Sequence, residues 1–231
     1  DYERNTTPNL SQFQKENKEQ FYLMEQPYTV STTTMLAVPG VLTGIGPYQD
    51  TSIFYGQPFL WDYGNMLDYR TFFLSSHSLQ WYPFDRFYQK AKLDHLWNKE
   101  KSGKPFFNDL GVDDMHTINH LNKEIRKASS KNFFGVVQLN ATHYPYHIPE
   151  KYAKWKGSFK DEYDNSIAYQ DAVIGKLLNE LKVSGKLKNT VVIFTSDHGE
   201  SLKDHNNIGH VDSYYIETIS VPLMCYIPEG L

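Results

Sequence analysis

Apolar runs and one long helical pattern alternate through the second half of the chain. Residues 133–139 read FFGVVQL, which is typical of a strand buried on both faces. Between 164 and 183 apolar residues recur at helical spacing, and Gly185 follows as a stop signal. Two further apolar runs, 190–195 and 221–227, predict strands. This order predicts an α/β domain with a mostly parallel central sheet and helices on both faces.

Composition and charge narrow the classes of function. The 231 residues are 40% hydrophobic, enough for one α/β domain with a real core. No repeat or Gly/Ser linker divides the chain, so we interpret residues 1–231 as a single domain. With 27 acidic and 23 basic residues, a nucleic-acid partner is not expected. The single cysteine, Cys225, excludes an internal disulfide and a cysteine-based zinc site.

Polar side chains follow two of the predicted strands. Residues 133–139 run into Asn140-Ala141-Thr142-His143, and residues 190–195 run into SDHGE at 196–200. Ligands of open α/β sheets bind beyond the carboxyl ends of the strands. The adjacent Asp197 and His198 offer an oxygen and a nitrogen ligand, which suits zinc or manganese. By itself the pair is better explained by a helix cap beside a surface histidine.

The sequence places some of the other histidines at these strand ends more strongly than others. His210 lies further along the chain, and His143 ends the first strand, so we expect both beside His198. His205 and His147 have weaker claims, and His205 lies in a polar loop where a solvated side chain is the default. The remaining histidines fall outside any predicted strand end and are expected to satisfy local hydrogen bonds: His77, His95, His116 and His120.

A hydroxyl-rich segment, STTT at 31–34, precedes an apolar stretch of helical character. One of these hydroxyls should lie at a helix N-terminus, where free N–H groups and the dipole favour an anion. Taken alone, the segment is explained by a plain cap, and threonine is a poor nucleophile unless a metal or base lowers its pKa. Together with metal ligands, however, it supplies the parts needed to transfer a phosphoryl-type group.

Motifs spread along the chain resemble the alkaline phosphatase and sulfatase superfamily, above all its membrane-anchored phosphoethanolamine transferases. The most specific is NTVVIFTSDHGE at 189–200, and the others are YERNTTPNL at 2–10, residues 163–171 and SVPL at 220–223. The resemblance implies an alkaline-phosphatase-like fold. Alignment on residues 42–44, and separately on Pro39, places the family's nucleophile at Thr34. Because Thr34 is neither Cys nor Ser, the formylglycine of sulfatases cannot form there.

The resemblance also implies roles for the residues of the rim. Asp197 and His198 would bind a divalent metal, zinc or else manganese, that activates Thr34. His143 and His210 would hold the substrate phosphate or a second metal. This interpretation requires side chains far apart in sequence to converge on one point.

The implied reaction moves phosphoethanolamine, or a related substituted phosphate, from a phospholipid through a covalent threonine intermediate to a cell-envelope lipid or glycan. The implied location is the periplasmic or extracellular face of a bacterial inner membrane, with the anchor in a segment outside this chain. Two alternatives stay open. One is a phosphodiesterase or sulfatase-like hydrolase with the same site, and the other is a catalytically silent relative that binds glycans or lipid head groups.

One ligand of the family has no counterpart in this chain. The family's first metal ligand is an acidic residue that ends an opening strand just before the segment matching Tyr2-Glu3-Arg4. The chain begins at Asp1 and ends at a turn at 228–231, so we expect a chain truncated at both ends. We further expect the acid to be encoded upstream, and residues 1–231 to bind metal poorly by themselves.

Overall fold

Helices and strands alternate along the chain in the computed structural model, which describes residues 2–46, 48–81, 84–128, 132–211 and 213–230. The predicted domain limits, Asp1 and Leu231, lie outside the described residues. The helices are α1 (Pro8–Glu16), α2 (Thr34–Thr43), α3 (Leu60–Met66), α4 (Phe84–Phe87), α5 (Lys99–Ser102), α6 (Asp114–Lys127), α7 (Phe159–Val183) and α8 (Ile216–Ile219). The strands are β1 (Phe21–Leu23), β2 (Arg70–Ser75), β3 (His95–Trp97), β4 (Phe133–Gln138), β5 (Val192–Thr195), β6 (Ser201–Leu202), β7 (Ile208–Gly209) and β8 (Leu223–Tyr226).

All of the elements predicted from hydrophobic periodicity form, as β4, α7, β5 and β8. Helix α7 begins five residues earlier than predicted, because Ser158 caps it. The Ser158 hydroxyl accepts a hydrogen bond from the backbone N–H of Asp161 at 3.2 Å. Asp161 and Glu162 in the first turn complement the helix dipole. The helix ends as predicted, with Gly185 at a φ of 71° just beyond it.

A parallel sheet of three strands, in the order β3-β2-β4, carries helices on both faces. Successive residues of β2 alternate between the two layers. Phe72 and Leu74 pack into a buried cluster with side chains of α6 and α7, while Phe73 packs on the opposite side with side chains of α2, α3 and α4. The predicted α/β class with a parallel sheet and helices on both faces is therefore confirmed.

A second sheet has the order β1-β8-β5 and is antiparallel throughout. The chain between β5 and β8 holds a short hairpin, β6-β7, and the one-turn helix α8 rather than the crossover helix that a parallel pair needs. The third predicted strand therefore runs antiparallel to the second. Among the described residues, β4 pairs only with β2 and β5 only with β8, so each leaves one edge unpaired.

The two sheets share one hydrophobic cluster. Val137 of β4 and Phe194 of β5 both belong to the cluster that contains Tyr169 and Val173 of α7. Strands β4 and β5 therefore pack into the same core as helix α7. Among the described residues, no helix has the length and apolar character required to cross a membrane.

Candidate active site

The threonine singled out by the resemblance lies at the first position of helix α2. Thr33 precedes it as the N-cap residue in an extended conformation, and its side chain makes no capping hydrogen bond. The Thr34 hydroxyl lies 2.9 Å from Nε2 of His198. A hydroxyl does stand at a helix N-terminus, as predicted, but it contacts a histidine instead of capping the helix. The plain-cap interpretation of Thr34 is therefore wrong.

His198 is oriented by its own backbone. Its Nδ1 lies 2.8 Å from the carbonyl oxygen of Gly199, which can only accept a hydrogen bond, so Nδ1 carries the proton. In the neutral ring, Nε2 then presents a lone pair toward the Thr34 hydroxyl. Asp197 contributes a carboxylate oxygen 3.4 Å from the same Nε2. The adjacent Asp197 and His198 thus converge on one point, together with Thr34.

The other two predicted histidines share this arrangement. Nδ1 of His210 lies 2.6 Å from the carbonyl oxygen of Thr32, and Nδ1 of His143 lies 2.6 Å from that of Tyr144. Backbone carbonyls therefore hold the proton on Nδ1 and leave Nε2 able to accept a proton or bind a metal. The rings of His198 and His210 stack with centroids 3.6 Å apart, and His143 lies 6.1 Å from His210.

Burial favours the neutral form of His210. Burial lowers the pKa of this histidine, and the nearby His198 lowers it further. A neutral imidazole is the form that coordinates a metal. The structure brings all five predicted residues to one rim, while their roles stay predictions.

Glu200 is a further member of the site, and the sequence interpretation gave it no role. One ligand atom from each of His198, Glu200 and His210 lies within 4.8 Å of the others. Burial raises the pKa of Glu200, whose Oε1 accepts a hydrogen bond from the Tyr146 hydroxyl at 3.1 Å. The sequence did contain a signal for Glu200. It lies two residues after His198, and in an extended segment this spacing places both side chains on the same side.

A close backbone approach holds this loop in place. The N–H of Gly199 donates to the carbonyl of Thr218, and the N–H of Glu200 donates to that of Glu217, each at 2.9 Å. A Cβ atom on Gly199 would lie 2.1 Å from the Glu217 carbonyl oxygen. Glycine is therefore required here because two backbone segments touch.

His77 lies at a strand end that the sequence interpretation overlooked. It lies two residues beyond the end of β2, and its N–H donates to the Ser75 hydroxyl at 3.0 Å. Since β2 and β4 are parallel and Ser75 pairs with Gln138, the end of β2 lies beside the strand end that leads to His143, so His77 stands at the same rim. Burial lowers the pKa of His77 to about 4. Its placement outside any strand end was wrong, because β2 was not predicted.

His205 and His147, which the sequence favoured less, make no contact with the site residues among the contacts of the described residues. Nδ1 of His205 lies 2.8 Å from Oε1 of Glu217, and its ring stacks on Tyr215 with centroids 3.8 Å apart. His147 is exposed.

The site combines a hydroxyl, imidazole nitrogens and carboxylate oxygens at a helix N-terminus. Such a donor set fits a divalent cation of the zinc or manganese type. Near such a cation, a threonine hydroxyl becomes a competent nucleophile toward phosphorus or sulfur. An α/β fold with this donor set at its strand ends has the groups that metal-dependent phosphoryl or sulfuryl transfer requires.

The chain belongs to the Sulfatase family, whose model matches residues 1–231. The Kdo(2)-lipid A phosphoethanolamine 7''-transferase of Escherichia coli strain K12 is 23% identical over 246 aligned positions, covering 99% of this chain and 41% of the relative. The chain thus spans about two fifths of the length of that curated relative.

Solved structures show the same fold. The zinc complex of the C-terminal periplasmic domain of EcEptC from Escherichia coli superposes with a TM-score of 0.82 at 19% identity, covering 99% of this chain and 68% of that one. A protein in the alkaline phosphatase superfamily from Vibrio parahaemolyticus superposes with a TM-score of 0.76 at 20% identity, covering 97% and 55%. The predicted superfamily and its alkaline-phosphatase-like fold are confirmed.

Proposed function

We propose that this chain carries the catalytic residues of a metal-dependent transferase. It would move phosphoethanolamine, or a related substituted phosphate, from a phospholipid to a cell-envelope lipid or glycan, on the outer side of a bacterial inner membrane. The observation that carries the proposal is the 2.9 Å separation between the Thr34 hydroxyl and Nε2 of His198 at the carboxyl rim of the strands. A curated relative that transfers phosphoethanolamine to Kdo(2)-lipid A supports the substrate class.

The ligand atoms in this chain suit one divalent cation, zinc first and manganese second. Asp197, His198, Glu200 and His210 would hold it, because their oxygen and nitrogen atoms cluster beside Thr34. When bound, the cation supplies Lewis-acid chemistry: it lowers the pKa of the hydroxyl and offsets charge on the transferred group. His210 is assigned a ligand role because its ring nitrogen clusters with the ligand atoms of His198 and Glu200.

The residues of this chain position the reacting atoms. The Gly199 carbonyl holds the Nδ1 proton of His198, so Nε2 faces the Thr34 hydroxyl throughout. In the first step a bond forms between the Thr34 oxygen and phosphorus, the phosphorus–oxygen bond to diacylglycerol breaks, and the hydroxyl proton leaves with that alcohol. In the second step the acceptor oxygen forms a bond to phosphorus, the bond between phosphorus and the Thr34 oxygen breaks, and the acceptor proton passes to that oxygen. The His143 ring lies beside His210, where it would contact the phosphoryl oxygens or a second metal.

We also propose that an upstream strand brings a further acidic ligand to this rim. Strands β4 and β5 each leave one edge unpaired among the described residues, and Ile193 on β5 is 63% exposed. Their ends lead to His143 and His198, which both lie beside His210. One extended segment pairing with both edges would therefore end at this rim. Tight, stoichiometric zinc binding by residues 1–231 that His198→Ala abolishes in a calorimetric titration would contradict the need for that ligand.

The decisive experiment replaces Thr34 in the full-length protein. We expect Thr34→Ala to lower turnover of a phosphatidylethanolamine donor by about a thousandfold or more, because the nucleophile is lost. Thr33→Ala is the matched control, since its hydroxyl makes no capping hydrogen bond, and it should keep most of the activity. Acid-quenched wild-type protein should carry a phosphoethanolamine adduct on Thr34 by mass spectrometry. Retention of most activity by Thr34→Ala, with unchanged folding by circular dichroism, would rule out the covalent mechanism.

The hydrolase alternative shares every step up to the covalent intermediate. The Sulfatase family match favours keeping it as the second candidate. Release of free phosphoethanolamine from the donor, without an added acceptor and at the rate of the transfer reaction, would favour hydrolysis. A silent binding protein would show neither transfer nor adduct.

A further inference from the structure

A second cluster of metal-type ligands joins strand β3 to helix α6. His95 begins β3, while His120 and Glu124 lie one turn apart on α6. The two Nε2 atoms are 2.7 Å apart. Oε1 of Glu124 lies 3.9 Å from Nε2 of His95 and 4.0 Å from that of His120. This contact over 25 positions corrects the prediction that both histidines make only local hydrogen bonds.

This cluster lies at the opposite end of the parallel sheet from Thr34. Helix α6 starts at Asp114, whose carboxylate accepts hydrogen bonds from the N–H groups of Asn140 and Ala141 just beyond the carboxyl end of β4. Towards the other end of α6, Oε2 of Glu124 accepts from Arg70, the first residue of β2, at 2.6 Å. The helix therefore runs antiparallel to the strands, and the cluster sits at their amino ends.

The protonation states suit coordination. Only one hydrogen fits between two Nε2 atoms 2.7 Å apart, so at least one of them presents a bare lone pair. Burial lowers the pKa of both His95 and His120, which favours neutral rings. Burial also works against ionisation of Glu124, but hydrogen bonds from Lys127 and Arg70 hold the pKa of Glu124 below its usual value. Two neutral imidazoles and one carboxylate form a donor set typical of zinc.

The geometry is close to that of a coordination shell. Tetrahedral zinc with nitrogen ligands at about 2.05 Å holds them about 3.3 Å apart, so the rings need to separate by only about 0.6 Å. The carboxylate needs to approach by a similar amount. The side chains of His95 and His120 are 28% and 24% exposed, which leaves a fourth position open to water.

A cation already contacts the carboxylate of this cluster. The Lys127 ammonium lies 2.7 Å from Oε1 of Glu124, the oxygen that faces the histidines, and the Lys127 side chain is 62% exposed. An exposed lysine can swing into solvent at little cost. A divalent ion would therefore compete with Lys127 for Glu124, and removing the lysine should strengthen metal binding.

We propose that His95, His120 and Glu124 form a second divalent-metal site, zinc-type in its ligands and separate from the catalytic rim. The ion bridges edge strand β3 and helix α6, so it stabilises the parallel sheet and takes no part in the reaction. Trp97 stacks on His120 with ring centroids 4.9 Å apart and reports on the site by fluorescence.

The test uses the chain carrying His198→Ala and His210→Ala, because these substitutions remove two metal ligands from the catalytic rim. This variant is titrated with Zn²⁺ or Ni²⁺ alone. We expect saturable Ni²⁺ quenching of tryptophan fluorescence that Trp97→Phe removes. We also expect a rise in Tm of about 5 to 10 °C at Zn²⁺ a hundredfold above its Kd. Added His120→Ala should weaken binding at least tenfold.

Two further variants keep the outcome decisive. His116→Ala removes an exposed histidine from the same helix and should leave the affinity unchanged. Lys127→Met should tighten Zn²⁺ binding about tenfold, a gain that a misfolded protein cannot show. Binding that is unchanged in His120→Ala, or absent up to millimolar Zn²⁺, would overturn the proposal. Neither result bears on the role of Thr34.

Discussion

Substitution of Gly199 by alanine tests how the loop that carries His198 and Glu200 is held. The added Cβ would lie 2.1 Å from the Glu217 carbonyl oxygen and 3.1 Å from that of Ser220. Both atoms belong to the backbone, so neither can rotate away. Because Gly199 has no positive φ, any effect must come from this contact and not from backbone strain.

The expected loss of stability follows from the overlap. Restoring even a tight 3.0 Å contact requires the two segments to separate by about 0.9 Å, and overpacking of this kind costs about 1–3 kcal/mol. The same movement stretches the hydrogen bonds from Gly199 to Thr218 and from Glu200 to Glu217, each worth about 1 kcal/mol. The free energy of unfolding should therefore fall by about 3–5 kcal/mol. A shift of His198 by about 1 Å should also lower turnover about a hundredfold.

Urea unfolding followed by circular dichroism measures the first effect, with the m-value checked for constancy. Gly56→Ala is the matched control, because its φ is −106° and its added Cβ would lie 3.7 Å from the closest atom, the Ile53 carbonyl oxygen. That variant should stay within about 0.5 kcal/mol of the parent. The reasoning is refuted if Gly199→Ala unfolds at the same urea concentration as the parent.

Two further predictions concern buried carboxylates. Asp171 accepts hydrogen bonds from the N–H groups of Asn9 and Leu10, each at 2.9 Å, so Asp171→Ala should lower the free energy of unfolding by about 2–4 kcal/mol in urea titrations, and Asp171→Asn by less. Equal losses in the two variants would contradict this. Burial raises the pKa of Asp114 from 3.8 to about 6, so its proton binds more tightly in the folded state and its contribution to stability falls as pH rises from about 4 to about 6. As pH rises across this range, the free energy of unfolding of the parent should fall relative to that of Asp114→Asn. A difference between the two proteins that does not change with pH would contradict this prediction.

The sequence predicted the parts of the site that depend on local pattern. Strands β4 and β5 and helix α7 follow from runs of apolar residues at strand or helix spacing, and the polar residues after each strand mark its carboxyl end. The motif resemblance added Thr34, which no periodicity could single out from its neighbouring hydroxyls. The predicted strands and the helix formed because each depends on residues close together in the chain, while the role of Thr34 stays a prediction.

Other features escaped the sequence because they depend on short or distant pairings. Strand β2 reads RTFFLS and faces helices on both sides, so it shows no alternation that distinguishes it from other apolar runs. Missing β2 placed His77 away from the rim. Glu200 was overlooked because it belongs to the site only through its proximity to His210. The position of His210 is set by the β6-β7 hairpin.

What the sequence determined by itself was the class of the chain: an α/β domain of the Sulfatase family with hydroxyl, carboxylate and imidazole groups at its strand ends. Only the tertiary structure decided which groups meet. The Thr34 hydroxyl reaches His198 over 164 positions, and His95 reaches His120 over 25, because helices α2 and α6 are fixed against strands by buried side chains. Hydrophobic burial is non-directional, and the position of each helix depends on close packing throughout the core. These distances are therefore set by the whole core and are not encoded in any local pattern.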